Sequence, residues 1–386
     1  MASIKKNKKG LWEVRYDAGF DSQGNRIQKF KGGFVKKDDA DYYLTEVQHS
    51  INHGVYIEPK KVFMYEYMNY WLENAQSTLS PTTYSGYEVN VRCHINPIIG
   101  GIRLQELKPT NIKSLYATLQ KDRIVTINDE KRSFKKLSPK SILYVHRVLS
   151  KALEDAFKDE IVHRNAARAV SPPKVSKHKA NFLTIAQIRA MLDKFEGDEL
   201  FLPVYLAVVL GLRRGEALGL TWNDIDFENK LVKVRNNYTM AQGKPILLDE
   251  AKSNDSERDI VVTDRILRLL KDHRKKQLET KLKMGSKYHK SEFICTWPDG
   301  VLFNPSHVSR SFGLRMKRFG LREITFHELR HSNGALMISN NTHMKGASER
   351  LGHSTIVITN DFYGHIERGV QEQIAEAIDK SIWGES

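Results

Sequence analysis

The sequence predicts a multidomain α+β protein. It has a small N-terminal domain of β-hairpin or sheet plus helix, an all-α middle domain, and a mainly α third domain with a small β-sheet. Three observations lead there. A chain of 386 residues is long enough for two or three domains rather than one large core. Apolar residues alternate near the N-terminus and then recur at helical intervals. A proline-containing, lysine-rich stretch interrupts both patterns at residues 171–181.

Residues 1–60 form the first domain. Leu11-Trp12-Glu13-Val14-Arg15-Tyr16 alternates as a strand, Asp21 to Asn25 contains a Gly-Asn turn, and Ile27-Gln28-Lys29-Phe30 returns as a second strand. Phe34 closes a short third strand. A helix follows from Asp38 to Ile51, with Gly54 as its stop. Residues 1–37 carry ten Lys or Arg against three acids, so the positive charge gathers on the sheet side. A basic strand ribbon suits a DNA major groove; the plainer alternative is a solvated hairpin face.

Residues 62–170 read as helical. Phe63, Tyr67, Tyr70 and Trp71 recur at helical intervals in Phe63 to Ala75, and such a stripe is core. Ser80-Pro81, Lys108-Pro109 and Ser138-Pro139 each place a proline in the first turn of a helix, and the last of these runs through Phe157. Pro97 to Gly101 breaks the pattern, and Arg123 to Lys136 is a polar loop or short hairpin.

Residues 171–181 are the basic linker, and 182–386 the third domain with a C-terminal tail. Thr184 caps its first helix, the apolar run Phe201 to Leu210 is a second, and Leu231–Val234 and Asp259–Val262 are strands. Helix resumes from Asp264 to Arg274 and again beyond Phe326. In the tail, Ile374, Ile378, Ile382 and Trp383 form an apolar stripe that fits either a neighbouring subunit or its own core.

Apolar content of 40% is ordinary for a globular chain, but a formal charge of +15 makes a polyanion the expected partner. Cys93 and Cys295 are too few for a disulfide framework or a thiolate zinc site. Neither a signal-peptide h-region nor a run of about 20 apolar residues is visible, so no membrane partner is expected.

Three short motifs hold the chemistry. Gly211-Leu212-Arg213-Arg214-Gly215-Glu216 and Phe326-His327-Glu328-Leu329-Arg330 each place an arginine three residues from a polar partner. Leu351-Gly352-His353-Ser354 precedes Tyr363 by about one helical segment. Taken singly, these are ion pairs or a docked aromatic. Together they supply a hydroxyl nucleophile, histidines, and arginine forks suited to a phosphate that gains charge during attack. His331 and His365 do not make a metal site, because carboxylates at ligand spacing are missing and the arginines would repel a cation. No cofactor is expected.

On these motifs, with Leu218-Gly219-Leu220-Thr221-Trp222 and Phe362-Tyr363-Gly364-His365, the chain resembles the tyrosine recombinase family, the integrases of phages and integrative elements. The resemblance implies that residues 1–60 are an arm-type DNA-binding domain, 62–170 a helical core-binding domain and 182–386 the catalytic domain. It implies catalytic roles for Arg213, Lys252, His327, Arg330, His353 and the nucleophile Tyr363, with Glu216 orienting Arg213. Lys244 competes with Lys252 for the hairpin lysine. His327 would accept the Tyr363 proton or hydrogen-bond the phosphate, and Lys252 would protonate the departing 5′ oxygen, a task for which arginine is too weak an acid.

The implied reaction passes through a 3′-phosphotyrosine without ATP or metal. The implied partners are double-stranded DNA at attachment sites, a tetramer of the chain itself, and accessory proteins such as a host bending protein and an element-encoded directionality factor. The setting is the cytoplasm of a bacterial host. Two departures from the family pattern are Asn340-Asn341, where a glycine is usual, and Glu328, where aspartate is commoner. A topoisomerase sharing phosphotyrosine chemistry and a non-catalytic DNA-binding regulator are the competing functions.

Overall fold

The structure is a computed structural model that describes residues 2–20, 26–52, 62–127, 129–176, 181–249, 257–340 and 342–352. By its contacts the chain divides into two units, Met1–Ser176 and Lys177–Ser386, and the division falls inside the basic stretch 171–181.

In the first unit, β1 (Ser3–Lys6), β2 (Trp12–Phe20) and β3 (Arg26–Phe34) form an antiparallel sheet in the order β1-β2-β3, followed by α1 (Lys37–Asn52). Val14 and Tyr16 alternate inward with Ala40 and Val47 of α1, which gives this small sheet its core. Phe34 differs from expectation. It lies within β3 opposite Trp12, and the third strand is β1, which precedes both others. The expected Gly-Asn turn at Asp21–Asn25 and the stop at Gly54 lie outside the described residues.

A second set of elements follows: α2 (Met64–Ala75), α3 (Pro81–Asn90), α4 (Asn96–Ile99), α5 (Pro109–Leu119), the hairpin β4 (Arg123–Ile127) with β5 (Glu130–Phe134), and α6 (Pro139–Lys158). On α6, Ile142, Val145, Leu149, Ala152, Leu153 and Ala156 repeat at three- and four-residue intervals and are buried. Tyr67 donates its hydroxyl to the Ala152 carbonyl at 2.8 Å, and Trp71 Nε1 donates to Asp155 at 2.8 Å, which locks α2 onto α6. Tyr70 does not join them. It is 60% exposed, so the core stripe holds Tyr67 and Trp71 without it.

The expected break within Pro97 to Gly101 falls at Gly100, the C-cap of α4, and not at Pro97. Val91–Ile95 forms a π-helical turn in which the Asn96 amide donates to the Val91 carbonyl, five residues back, and α4 continues to Ile99. The widened turn accommodates the ring that would otherwise meet the carbonyl four residues earlier.

The second unit opens with α7 (Ile185–Phe195), capped as expected by Thr184, and α8 (Phe201–Val209), which is buried almost all round. Next come α9 (Arg214–Gly219), β6 (Ile225–Asp226), β7 (Leu231–Val234), the hairpin β8 (Asn236–Ala241) with β9 (Lys244–Asp249), and β10 (Arg258–Val261). Strands β10, β7 and β6 form a sheet in that order, while β8 and β9 pair separately around a Gln242-Gly243 turn with both φ values positive. The chain finishes its described part with α10 (Asp264–Met284), ten residues longer than the expected helix, then α11 (Pro305–Arg318), α12 (Phe326–Ser339) and α13 (Met344–Leu351).

Helix α12 packs against α8, and Asn333 of α12 donates to the Val208 and Val209 carbonyls at 2.9 and 3.0 Å. These are end-of-helix acceptors that α8 cannot satisfy itself. Asn340, at the C-cap of α12, has φ −94°, so no left-handed conformation that would favour glycine is adopted there. Asn341 and the stripe from Ile374 to Trp383 lie outside the described residues.

Candidate active site

Three elements of the second unit, α9, β10 and α12, converge on one carboxylate. Glu216 is 1% exposed at the third position of α9, and its oxygens receive hydrogen bonds from two arginines. Arg213 Nη1 donates to Oε1 at 2.6 Å, and the Arg213 amide donates to Oε2 at 2.8 Å. Arg258, at the start of β10, donates Nη2 to Oε2 at 2.8 Å and Nη1 to Oε1 at 3.3 Å. Arg330 of α12 lies 3.7 Å away as a third ion-pair partner.

Although Arg213 and Glu216 lie three residues apart, they do not share one side of a helix. Arg213 is the extended N-cap residue (φ −65°, ψ 155°), and Glu216 folds back onto it. Burial alone would push the Glu216 carboxyl up. The Arg258 hydrogen bonds and the charges of Arg258, Arg213 and Arg330 overcome that and hold it at about 2. One buried anion thus holds three cations together, leaving an excess of positive charge for an incoming anion.

The segment leading to His353 meets the same cluster. Gly352 closes α13 with φ 63°, and its carbonyl accepts from Arg213 Nη2 at 2.8 Å. Arg330 donates to the Leu351 carbonyl and, at 2.9 Å, to the Gly211 carbonyl. Gly211 turns the chain after α8 with φ 72°, and a Cβ there would lie 2.7 Å from both Asn333 Oδ1 and Leu351 Cδ2. Arg258 Nε donates to the Arg350 carbonyl at 2.8 Å. Arginine donors therefore gather the turn after α8, the start of β10 and the end of α13.

Exposure separates the arginines. Arg213 keeps 34% of its side chain open, while Arg330 and Arg258 are buried. A cleft of about 600 Å³ opens beside Arg213, lined also by Arg214, Asn237, Thr239, Ser309 and His327. His327 is exposed at its edge and stacks edge-on against His331 at 4.7 Å between ring centroids. Desolvation, then the charges of Arg330 and Arg213, keep the His327 ring below its ordinary pKa, so it is neutral and able to accept a proton near pH 7. His331 is pushed down to about 4, first by burial and then by His327 and Arg330.

Glu328 serves helix α12. It accepts from the Thr325 amide at 2.6 Å and the Thr325 hydroxyl at 2.9 Å, a capping role that aspartate would fill with a shorter arm.

Of the expected site residues, Arg213, Glu216, His327 and Arg330 are brought into one region. Lys252, His353 and Tyr363 lie outside the described residues. Lys244 opens β9 beside the hairpin turn, exposed. Arg258 was missed by sequence reasoning. Its alternation with the buried Ile260 along β10 puts both side chains on one face, the signal that would have found it.

Comparison with known proteins places these features in context. Residues 181–368 match the Phage integrase family, residues 63–120 the N-terminal SAM-like domain of phage integrases, and residues 3–51 an Arm DNA-binding domain. A protein of Caldanaerobacter subterraneus described as a XerC-like tyrosine recombinase is 26% identical over 380 residues, covering 94% of each chain. The ICEBs1 integrase of Bacillus subtilis is 24% identical over 383 residues, covering 98% of this chain and 99% of its own. Among solved structures, the Tn1549 transposon integrase bound to transposon right end DNA superposes with a TM-score of 0.66 at 19% identity, covering 81% of this chain and 100% of that one. A lambda integrase tetramer on a Holliday junction gives 0.54 at 18% identity, covering 91% and 95%.

Proposed function

Because the chain belongs to the phage integrase family of tyrosine recombinases, we propose that Arg213, Lys252, His327, Arg330, His353 and Tyr363 together cut and rejoin DNA at attachment sites of a mobile element. The chain is a site-specific recombinase, and its chemistry follows from residue types. The Tyr363 hydroxyl attacks the scissile phosphorus, its proton passing to a base such as neutral His327. The 5′ oxygen leaves with a proton from Lys252, and the DNA 3′ end is held as a phosphotyrosine ester. A 5′ hydroxyl from another strand attacks that ester, its proton passing to Lys252, while protonated His327 returns a proton to the departing tyrosine oxygen. Phosphodiester energy is kept throughout, so neither ATP nor a metal is required.

The observation that carries this reading is the buried Glu216 holding Arg213, Arg258 and Arg330 beside a cleft edged by His327. Such a cluster is preorganised for an anion that gains charge in the transition state. Arg213 presents its open side to the cleft. Arg330, committed to the Leu351 and Gly211 carbonyls, supports the site from beneath. The grip of Arg213 on the Gly352 carbonyl also supports a role for His353, which is next in sequence.

Residues 1–60 would hold arm-type sites and residues 62–170 the core site, with a tetramer on paired sites, as the lambda integrase assembly suggests. The likeness to the ICEBs1 integrase supports integration of a phage or other mobile element as the role. Excision would be the same chemistry run in reverse, with a host bending protein and an element-encoded directionality factor as accessory partners. The test is covalent trapping on a nicked attachment site, comparing the native chain with Tyr363→Phe. A tyrosine-dependent adduct is expected. Tight binding by the native chain without any adduct would replace this reading with that of a DNA-binding regulator.

A further inference from the structure

Arg214 has no part in the arginine cluster around Glu216. It follows Arg213 directly, yet the two side chains leave on different bearings. Arg213 reaches Glu216 and the Gly352 carbonyl, whereas Arg214 donates Nη1 to the Ser309 hydroxyl of α11 at 2.7 Å. Ser309 is neutral, and no carboxylate among the described residues lies within ion-pair distance of Arg214. Its guanidinium is half-buried in the wall of the 600 Å³ cleft, and burial lowers its pKa. A permanently charged group held in that setting, with no counter-ion among the described residues, is costly unless an anion completes it.

The cleft supplies room and polar company for such an anion. Besides Arg213 and His327 it is lined by Thr239 of β8, Ser309 and Thr325, and none of the described residues that line it is Asp or Glu. Close packing fixes the base of Arg214. A Cβ on the neighbouring Gly215 would lie 1.8 Å from Asn237 Oδ1, so α9 sits directly on β8. A small-molecule anion would serve the charge, but a recombinase brings a strand whose phosphates follow one another at fixed spacing.

We propose that Arg214 binds the DNA phosphate next to the scissile one on the cleaved strand, setting the register in which the scissile phosphate meets Arg213. This rests on the DNA-joining reading of the site. Arg214 is a positioning residue: it touches the strand without touching the reacting phosphorus. Its fork, held by Ser309 on one side, offers the remaining donors to the two non-bridging oxygens.

The test uses the full chain on a duplex that it protects from nuclease digestion, with single uncharged methylphosphonate linkages stepped across the cleavage region. The native chain should lose about tenfold in affinity at one linkage adjacent to the scissile position. Arg214→Gln should lose about the same on unmodified DNA, lose nothing further at that linkage, and show a salt slope lower by about 0.9. Arg214→Lys, which keeps the charge, should recover part of the loss and carries the comparison if the glutamine variant fails to fold.

Additive losses at every linkage in both variants would overturn the proposal. Tyrosine-dependent adduct formation by the native chain on a nicked duplex is measured alongside. An adduct without an Arg214-specific linkage sinks only the phosphate contact. An Arg214-specific linkage without an adduct sinks the joining reading and keeps the contact.

Discussion

Glu216 is the residue on which the arginine cluster depends, although it is given no reaction step. Replacing it with glutamine leaves three guanidiniums, two of them buried, without their shared anion. Breaking a buried pair from one side costs on the order of 3–5 kcal/mol, so Glu216→Gln should unfold at markedly lower urea than the native chain. A midpoint shift equivalent to less than about 0.5 kcal/mol, typical of a neutral surface change, would show that the cluster does not need it. The pH dependence has a definite sign. The folded pKa of about 2 is depressed below the ordinary 4.5, so the contribution is present above 4.5 and lost as pH falls through 2. It amounts to on the order of 3 kcal/mol. His331, depressed from 6.5 to about 4, acts in a separate window. Its unfolded form binds protons first, so stability should begin to decline below 6.5 and keep declining to about 4. Acid unfolding of the native chain should therefore be steep in both windows, and Glu216→Gln should flatten only the lower one.

At the scale of elements, the turn between α8 and α9 decides whether the cluster forms. Gly211→Ala must adopt a positive φ and also push Asn333 and Leu351 away, whereas Gly197→Ala, at φ 79°, meets nothing within 4 Å. Both pay for the backbone conformation, about 1 kcal/mol or more. Only Gly211→Ala should add a steric loss, displace the carbonyl that Arg330 uses, and depress adduct formation. Thermal melts of the two variants check this, and equal melting temperatures would mean the turn yields without consequence. The signals for such elements differ in reach. Thr184 was legible as a cap, and Ser80-Pro81 and Ser138-Pro139 as helix starts, because each of these signals spans only a few residues. Strand β1 was not, because four residues carry too little alternation. The β8–β9 hairpin was missed because it turns on Gln242-Gly243 without the usual Asn or Asp. Arg213 and Arg330 were found by their motifs. Arg213 meets Glu216 across three residues, but the arrival of Arg258 and Arg330 at the same carboxylate depends on contacts across 42 residues or more, which no local pattern records.

For the whole molecule, the charge of +15 and the chemistry of the site should respond to salt in different ways. Binding gains from the counterions that DNA releases, and log K falls with log salt at about 0.9 per phosphate contacted. Ten Lys or Arg against three acids in residues 1–37, together with the exposed cations elsewhere, are enough for six or more contacts. Affinity for a protected site should then drop about a thousandfold or more between 50 and 200 mM salt. The proposed cleavage step would draw on the cluster in which Arg213, Arg258 and Arg330 sit against Glu216, and their charges are screened weakly because two of the three are buried. At protein concentrations that saturate the DNA throughout, the single-turnover rate of adduct formation should therefore change by less than about threefold over the same range. A rate that fell in step with affinity would place the rate-limiting event in an electrostatic docking of DNA. A flat affinity would mean that few phosphates are held, and the basic surface would need another partner.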